Sequence, residues 1–537
     1  MAALGMTSRR DFLTLLLGAP MAAWACRASR PPTTPPGQLL STGAELGHRW
    51  VRDGRAPAPQ TFTRHQVVVV GGGVAGLTAA WALARRGVRD CVVLELDEQL
   101  GGTARGASSA VTPYPWGAHY IVAPTAAQHE LTALLTELGA IEGYDDHGAP
   151  IVDEALRCRE PEERIFYRGR WYEGLYLRAG ASADDLRQLD VFQAEIDRWA
   201  SWRDASGARA FTLPVSQCSQ DPEVTRLDRQ SFAAWLDERK LTSPRLRWLC
   251  DYACRDDYGL LASSTSAWAG LFYFAARQTG AKVDPQPVVT WPDGNFPLVR
   301  HLAEAAVTRV RAVVSSVTQG PDGARVVAHT EAGPVGFLAE RVIVAVPRFV
   351  AAKIVEPLRA AAAVASAPSD YGAWAVANLH LRDRPRQVMG APRAWDNVLY
   401  QSKSLGYVTA THQRGRDVGP TVLTWYYPFT DDDAAGARRA ISGAGQPEWA
   451  ETALADLSRA HPGLRDLVTR VDVAFWGHGM IRPKVGSLWH PQRLAAATPV
   501  GRIHFAHTDL SGMALFEEAF DHGNRAAREV ALALATR

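Results

Sequence analysis

Residues 67–70 are four consecutive valines, an unbroken β-branched run with no polar position in it. Alternation would mark a strand with one wet face, whereas a continuous run marks a strand buried on both faces of a parallel sheet. The period then changes. Residues 77–86 carry an alanine-rich apolar pattern suited to a helix packed closely on a strand, and Gly87 ends it. A second buried strand follows at 91–96, so the stretch predicts a βαβ unit.

The remaining pattern predicts a mixture of helices and strands. Helix is expected over 126–138 with Thr125 as N-cap, over 183–201 with Ser182 as N-cap, and over 231–253 and 268–277. Alternating aromatic and polar residues predict a hairpin at 165–177. Strands are expected at 310–317, 324–330 and 338–346, then at 374–382, 398–412 and 421–428, with a helix from Gln446 to about 460. Trp268, Phe272, Tyr273 and Phe274 either line a cavity or pack a core.

Between the first strand and its helix stand Gly71, Gly73 and Gly76 in a G-x-G-x-x-G. The first glycine permits the tight turn, the second lets the backbone approach a pyrophosphate, and the third allows close packing of helix on sheet. The helix start, including Val74 and Ala75, offers its amides to the phosphates. Glu95 lies at the distance where an acid bonds an adenosine ribose, which disfavours a 2′-phosphate. With strand, helix and acid all in place, the motif predicts a dinucleotide site.

At 537 residues the chain is too long for one core. A net charge of +2, with no basic block, argues against nucleic acid as a partner. The 17 Trp, 14 Tyr and 16 Phe suffice for large cores and an aromatic-lined cavity. At the N-terminus Ser8-Arg9-Arg10-Asp11-Phe12-Leu13 resembles a twin-arginine export motif, followed by an apolar stretch too short to span a membrane. Ala23-Trp24-Ala25 fits a cleavage site, and Cys26 is positioned for lipidation that would anchor the chain to a membrane. The expected location is periplasmic or exported. Cys250 and Cys254, one helical turn apart, have no completing His or Cys pair, so core thiols or a disulfide are expected rather than a metal.

Three further segments carry a family resemblance. Gly101-Gly102-Thr103-Ala104-Arg105 after the second strand is similar to the Gly-Gly-Arg segment of the flavin amine oxidase superfamily, which includes monoamine, polyamine and amino-acid oxidases and phytoene desaturase relatives. Thr103 stands where that family has arginine, with Arg105 two residues on. Gly117-Ala118-His119-Tyr120 resembles the family's Gly-Gly-Ser-Tyr, and 501–527 resembles its closing strand and helix. The resemblance implies FAD, an adenine contact at Val314, a ribityl-binding acid at Asp509 and helix amides from Phe516 facing the flavin. It also implies that Lys353, in AVPRFVAAKI, holds a water at the reactive flavin nitrogen. His119 either faces the flavin or is a core histidine. His478 and Arg482 are either substrate or flavin contacts, or structural. No cysteine follows Cys254, so the flavin is expected to be non-covalent.

The expected architecture is α/β: a discontinuous Rossmann-like FAD-binding domain (63–125, 290–347, 496–537) and an α+β substrate-binding domain (126–289, 348–495). These follow a signal peptide (1–26) and a proline-rich linker (27–62). The expected activity is hydride removal from a C–N or C–C bond of a small molecule, with electrons passing to oxygen or another acceptor. Leu515 stands where monoamine oxidases have a cage tyrosine, and Glu518 where they have glycine, so an amine cage is not evident. A desaturase or isomerase of an apolar substrate, or a flavin-binding partner protein without turnover, are the alternatives.

Overall fold

The computed structural model describes residues 34–40, 43–52, 57–306, 308–362 and 370–536; the expected signal peptide and Cys26 lie outside them. Strand β1 (Phe62–Val70) leads through the glycines into helix α1 (Val74–Arg85) and on to β2 (Cys91–Glu95). Next come β3 (Glu163–Tyr167), β4 (Arg170–Glu173) and helix α2 (Pro244–Tyr258). The chain returns through β5 (Thr308–Arg311), β6 (Val313–Gly320), β7 (Gly323–Thr330), β8 (Gly333–Val344) and α3 (Arg348–Ile354). It then forms β9 (Tyr371–Leu381), β10 (Asp396–Leu399), β11 (Gly406–Thr409), β12 (Thr421–Pro428), β13 (Val468–Ile481), β14 (Ile503–Phe505) and α4 (Phe516–Ala535).

Two seven-stranded sheets result. The first runs β5-β2-β1-β8-β7-β6, with β14 also on β8. β1 pairs in parallel with β2 (Val70↔Leu94) and with β8 (Val70↔Val344), and all four of its valines are buried, as the continuous run requires. The second sheet, β13-β9-β12-β11-β10-β3-β4, is antiparallel except at β10–β3 and carries the substrate side. α4 closes the first domain against α1. That contact needs Gly523, where a Cβ would lie 2.5 Å from the Ala75 carbonyl oxygen.

Several local expectations shift for identifiable reasons. The helix expected over 231–253 breaks into Phe232–Glu238 and α2, because Pro244 cannot continue a helix and Ser243 caps the second piece. Ser182 caps its helix with a full capping box. Thr125 is not an N-cap: the helix begins at His129, and the Thr125 amide bonds the Gln128 side chain instead. Cys250 and Cys254 are buried free thiols. Among the described residues no cluster of His, Cys, Asp or Glu is arranged to hold a metal, and no helix is long and apolar enough to cross a membrane.

The stretch expected to be a tether also differs. Residues 36–40 run beside β13, with hydrogen bonds from Leu40 N to Val473 O (2.8 Å) and from Val473 N to Gln38 O (2.9 Å). Residues 44–52 are helical, and β1 itself begins at Phe62.

Candidate active site

A cavity of about 770 Å³ runs from the carboxyl ends of β1 and β2 to the floor formed by the second sheet. At its first end Gly71 takes a left-handed φ of +107°, and a Cβ there would meet the Ala345 carbonyl oxygen at 2.4 Å. A Cβ on Gly73 would meet no atom within 4 Å, so the wall is open where a diphosphate would lie. Gly73 caps α1 without a side-chain hydrogen bond, leaving the first amides free to bind an anion. Gly76 is needed for packing, since a Cβ would come within 1.9 Å of Gly71 O.

Glu95 ends β2 with its carboxylate accepting the Gly72 amide (2.6 Å) and the Asp97 amide (2.9 Å). Burial raises its pKa and the two amides oppose that rise. Arg105 is 2% exposed, pairs with Asp97 at 3.1 Å, lies 5.0 Å over the Trp476 ring and keeps Nη2 without a partner. Thr103 O accepts the Ala118 amide at 2.9 Å, and Gly117 is required beside that carbonyl, where a Cβ would approach to 2.3 Å. Open space at Gly73, free helix amides and an orphaned guanidinium nitrogen together fit a dinucleotide.

Every residue expected at the cofactor lines this cavity except Gly76 and Arg105, which stand just behind its wall. Val314 reaches it from β6, Gly102 from a short 3₁₀ helix, Tyr120 from a loop, and Phe516 from the start of α4. Asp509 accepts the Arg348 amide at 2.6 Å and the Tyr371 hydroxyl at 2.5 Å, and pairs with His507 at 3.0 Å.

The three expected catalytic residues, His119, His478 and Lys353, all line this cavity. His119 sits among Tyr426 (4.8 Å between ring centroids), Tyr120 (5.2 Å) and Trp395 (5.4 Å), where burial pushes its pKa down to about 4. His478 stacks on Phe349 at 4.5 Å near Tyr371, and burial lowers it also to about 4. Lys353 lines the cavity from the exposed face of α3, a helix that packs on β6 and on the turn at 48–52. Arg482 is not a cavity residue: its guanidinium is buried against Asp370 and donates to Asp431 O at 3.0 Å. Glu518 is fully buried and accepts the Val215 amide at 2.7 Å, supporting a loop, with burial raising its pKa to about 8.

Residues that the pattern did not single out dominate the far end. Asp256 and Asp257 come from α2, Asp396 from β10 and Glu517 from α4, and all four line the cavity. Tyr252 donates to Asp396 at 3.0 Å, and Arg277 donates to the Tyr120 oxygen at 2.6 Å and pairs with Asp257 at 3.5 Å. Burial raises the pKa of each acid, Asp396 to about 7, and the mutual repulsion of Asp256, Asp257 and Asp396 pushes Asp256 higher still. Burial works against the charge on Arg277, but Tyr120 and Asp257 hold its pKa well above the usual value. The signal in the sequence was Asp256-Asp257 on a helix whose neighbours Tyr252, Ala253, Cys254 and Tyr258 are core residues. Of the four aromatics expected at either core or cavity, Phe272 and Tyr273 line the cavity, while Trp268 packs against Phe211 and Phe274 against Phe192.

A fold with this cofactor end and this cavity defines a flavin-dependent oxidoreductase. The chain belongs to the flavin containing amine oxidoreductase family, whose profile matches residues 74–531. Among solved structures it is similar to putrescine oxidase bound to putrescine, at 19% identity and a TM-score of 0.63, covering 89% of this chain and 100% of that one. It is also similar to cyclohexylamine oxidase from Brevibacterium oxydans IH-35A, at 17% identity and a TM-score of 0.61, covering 88% and 99%. At these identities the likeness shows the fold. No curated protein matches the chain in sequence.

Proposed function

We propose that this flavin oxidoreductase oxidises the C–N bond of a cationic small-molecule amine, with its FAD bound non-covalently and electrons passed on to oxygen or another acceptor. The carrying observation is the charge imbalance of the far end, where Asp256, Asp257, Asp396 and Glu517 face Arg277 as the single guanidinium among the lining residues. Buried acids without a counter-charge are costly when ionised. An ammonium group offsets that cost, whereas an apolar substrate leaves it standing, which weighs against the desaturase and isomerase readings.

Bound FAD supplies the acceptor for the hydride lost from the carbon beside nitrogen. The carboxylates hold the ammonium and the aromatic walls Trp374, Tyr426 and Trp476 exclude water. Burial holds His119 neutral at pH 7, so beside Tyr120, Tyr426 and Trp395 its ring offers a nitrogen that accepts a hydrogen bond from the substrate amine. The absence of cysteine after Cys254 supports non-covalent flavin, and the Arg9-Arg10 motif supports export of the folded holoprotein.

The test is anaerobic bleaching of the flavin absorbance against monoamines, diamines, amino acids and polyenes. Rapid bleaching by amines is expected. Bleaching by polyenes with none by amines overturns the reading.

A further inference from the structure

The family profile begins at residue 74, yet part of the cofactor cavity is walled by residues well before it. Ala44, Gly47, His48 and Val51 line the same cavity as Val314 and Glu95. We propose that residues 43–52 form a strap across the cofactor channel, and that its docking controls how long FAD stays bound.

The strap is fastened at three places. Upstream, residues 36–40 add to the edge of β13, and the Gln38 amide donates to the Asp472 carboxylate at 3.1 Å. Asp472 is fully buried and also holds Tyr114 (3.0 Å) and His380 (3.1 Å), so this anchor reaches into the second domain. Gly37 is required there, because a Cβ would lie 1.6 Å from Val471 O. In the middle, the Gly43 amide donates to Asp97, which also pairs with Arg105 and gives its own amide to Glu95. The strap is thereby tied to the acid expected at the ribose. Downstream, Trp50 stacks on His329 with ring centroids 4.6 Å apart and planes 12° apart.

Between these anchors His48 lines the same cavity as His478, so the strap reaches from the cofactor end toward the second sheet. Cofactor entering or leaving a channel walled in this way requires the strap to lift. Linkage then demands reciprocity: docking slows FAD release, and FAD holds the strap down.

The inference concerns flavin retention and is independent of the amine reading. Two measurements on the full-length holoprotein test it. Trp50→Ala removes the downstream anchor at a site remote from the glycine loop, and Gly37→Val removes the upstream one. FAD dissociation, followed by the recovery of flavin fluorescence after dilution, should accelerate about tenfold or more in each variant while circular dichroism of the fold is kept. Where a variant fails to fold, the wild-type protein decides: trypsin cleavage after exposed Arg49 should be markedly slower with FAD than after its removal. Dissociation rates within twofold of wild type in folded variants, or equal cleavage with and without FAD, overturn the proposal.

Discussion

Arg277 donates to the phenol oxygen of Tyr120 at 2.6 Å, and that phenol donates onward to Asp257 at 3.3 Å. Tyr120 belongs to the loop expected at the flavin and Arg277 follows the helix Ala267–Ala275 of the other domain, so this bond joins the cofactor end of the cavity to its acidic end. The one guanidinium of the cavity wall is thus already committed, and Asp256 and Asp396 have no cation of their own there.

Asp256→Asn and Asp396→Asn should therefore weaken amine binding while sparing the flavin. Loss of one charged hydrogen bond costs about 1.5–3 kcal/mol, roughly a ten- to hundredfold rise in KM. Steady-state kinetics with flavin content measured on the same samples checks this; unchanged KM for both variants counts against these acids as the ammonium site.

The raised pKa of Asp396 sets a pH dependence. Burial pushes this carboxyl from its ordinary 3.8 up to about 7, so between those limits the folded state binds the extra proton. Stability from this group is greatest at low pH and falls as pH rises toward 7. A cationic ligand needs the ionised form, so affinity should move the opposite way and rise through about pH 7. Comparing melting temperature and amine KM against pH for wild type and Asp396→Asn isolates both trends, which should disappear together in the variant.

His119 and Lys353 should behave differently. His119→Asn, at the centre of the aromatic group, is expected to slow flavin reduction by amine about tenfold, the cost of losing one hydrogen bond to the substrate of about 1.5 kcal/mol. Lys353→Met, on α3 at the cavity wall, should leave folding and FAD content intact and slow one of the two half-reactions about a hundredfold. Stopped-flow measurement of reduction and reoxidation separates the two; changes of no more than a few-fold in Lys353→Met would reduce it to a surface lysine.

Gly523→Ala tests the fit of α4 on α1. Its Cβ would stand 2.5 Å from Ala75 O and 2.7 Å from the Thr78 Cβ, so backbone must move at the helix that presents its amides to the cofactor. Overpacking of this kind costs about 1–3 kcal/mol. The melting temperature should drop and FAD should bind more weakly, both read by thermal release of flavin fluorescence.

Export is checked by cell fractionation. Arg9→Lys combined with Arg10→Lys should strand folded, yellow holoprotein in the cytoplasm, and Cys26→Ala should release any lipid-anchored fraction into solution. Unaltered export of the double variant would remove the twin-arginine reading.

The sequence by itself determined the elements whose information is local. Four valines can only be a doubly buried strand, Gly71, Gly73 and Gly76 report a turn and two close approaches, and Glu95 falls one βαβ unit later. Of these, Gly71, Gly73 and Glu95 line the cavity and Gly76 stands just behind its wall, while Val314, Asp509 and Phe516, which line it too, were expected only from the family resemblance. The acidic end was not legible in this way. Asp256, Asp257, Asp396 and Glu517 come from a helix, a strand and a second helix far apart in the chain, and only folding puts them around one cavity. A carboxylate in sequence looks the same whether it meets water or a buried neighbour, because its cost appears only when solvent is removed. The segments 36–40 and 43–52 were illegible for a related reason. Their prolines and polar residues read as a tether, and their order rests on partners at Val473, Asp97 and His329 that no local pattern reveals.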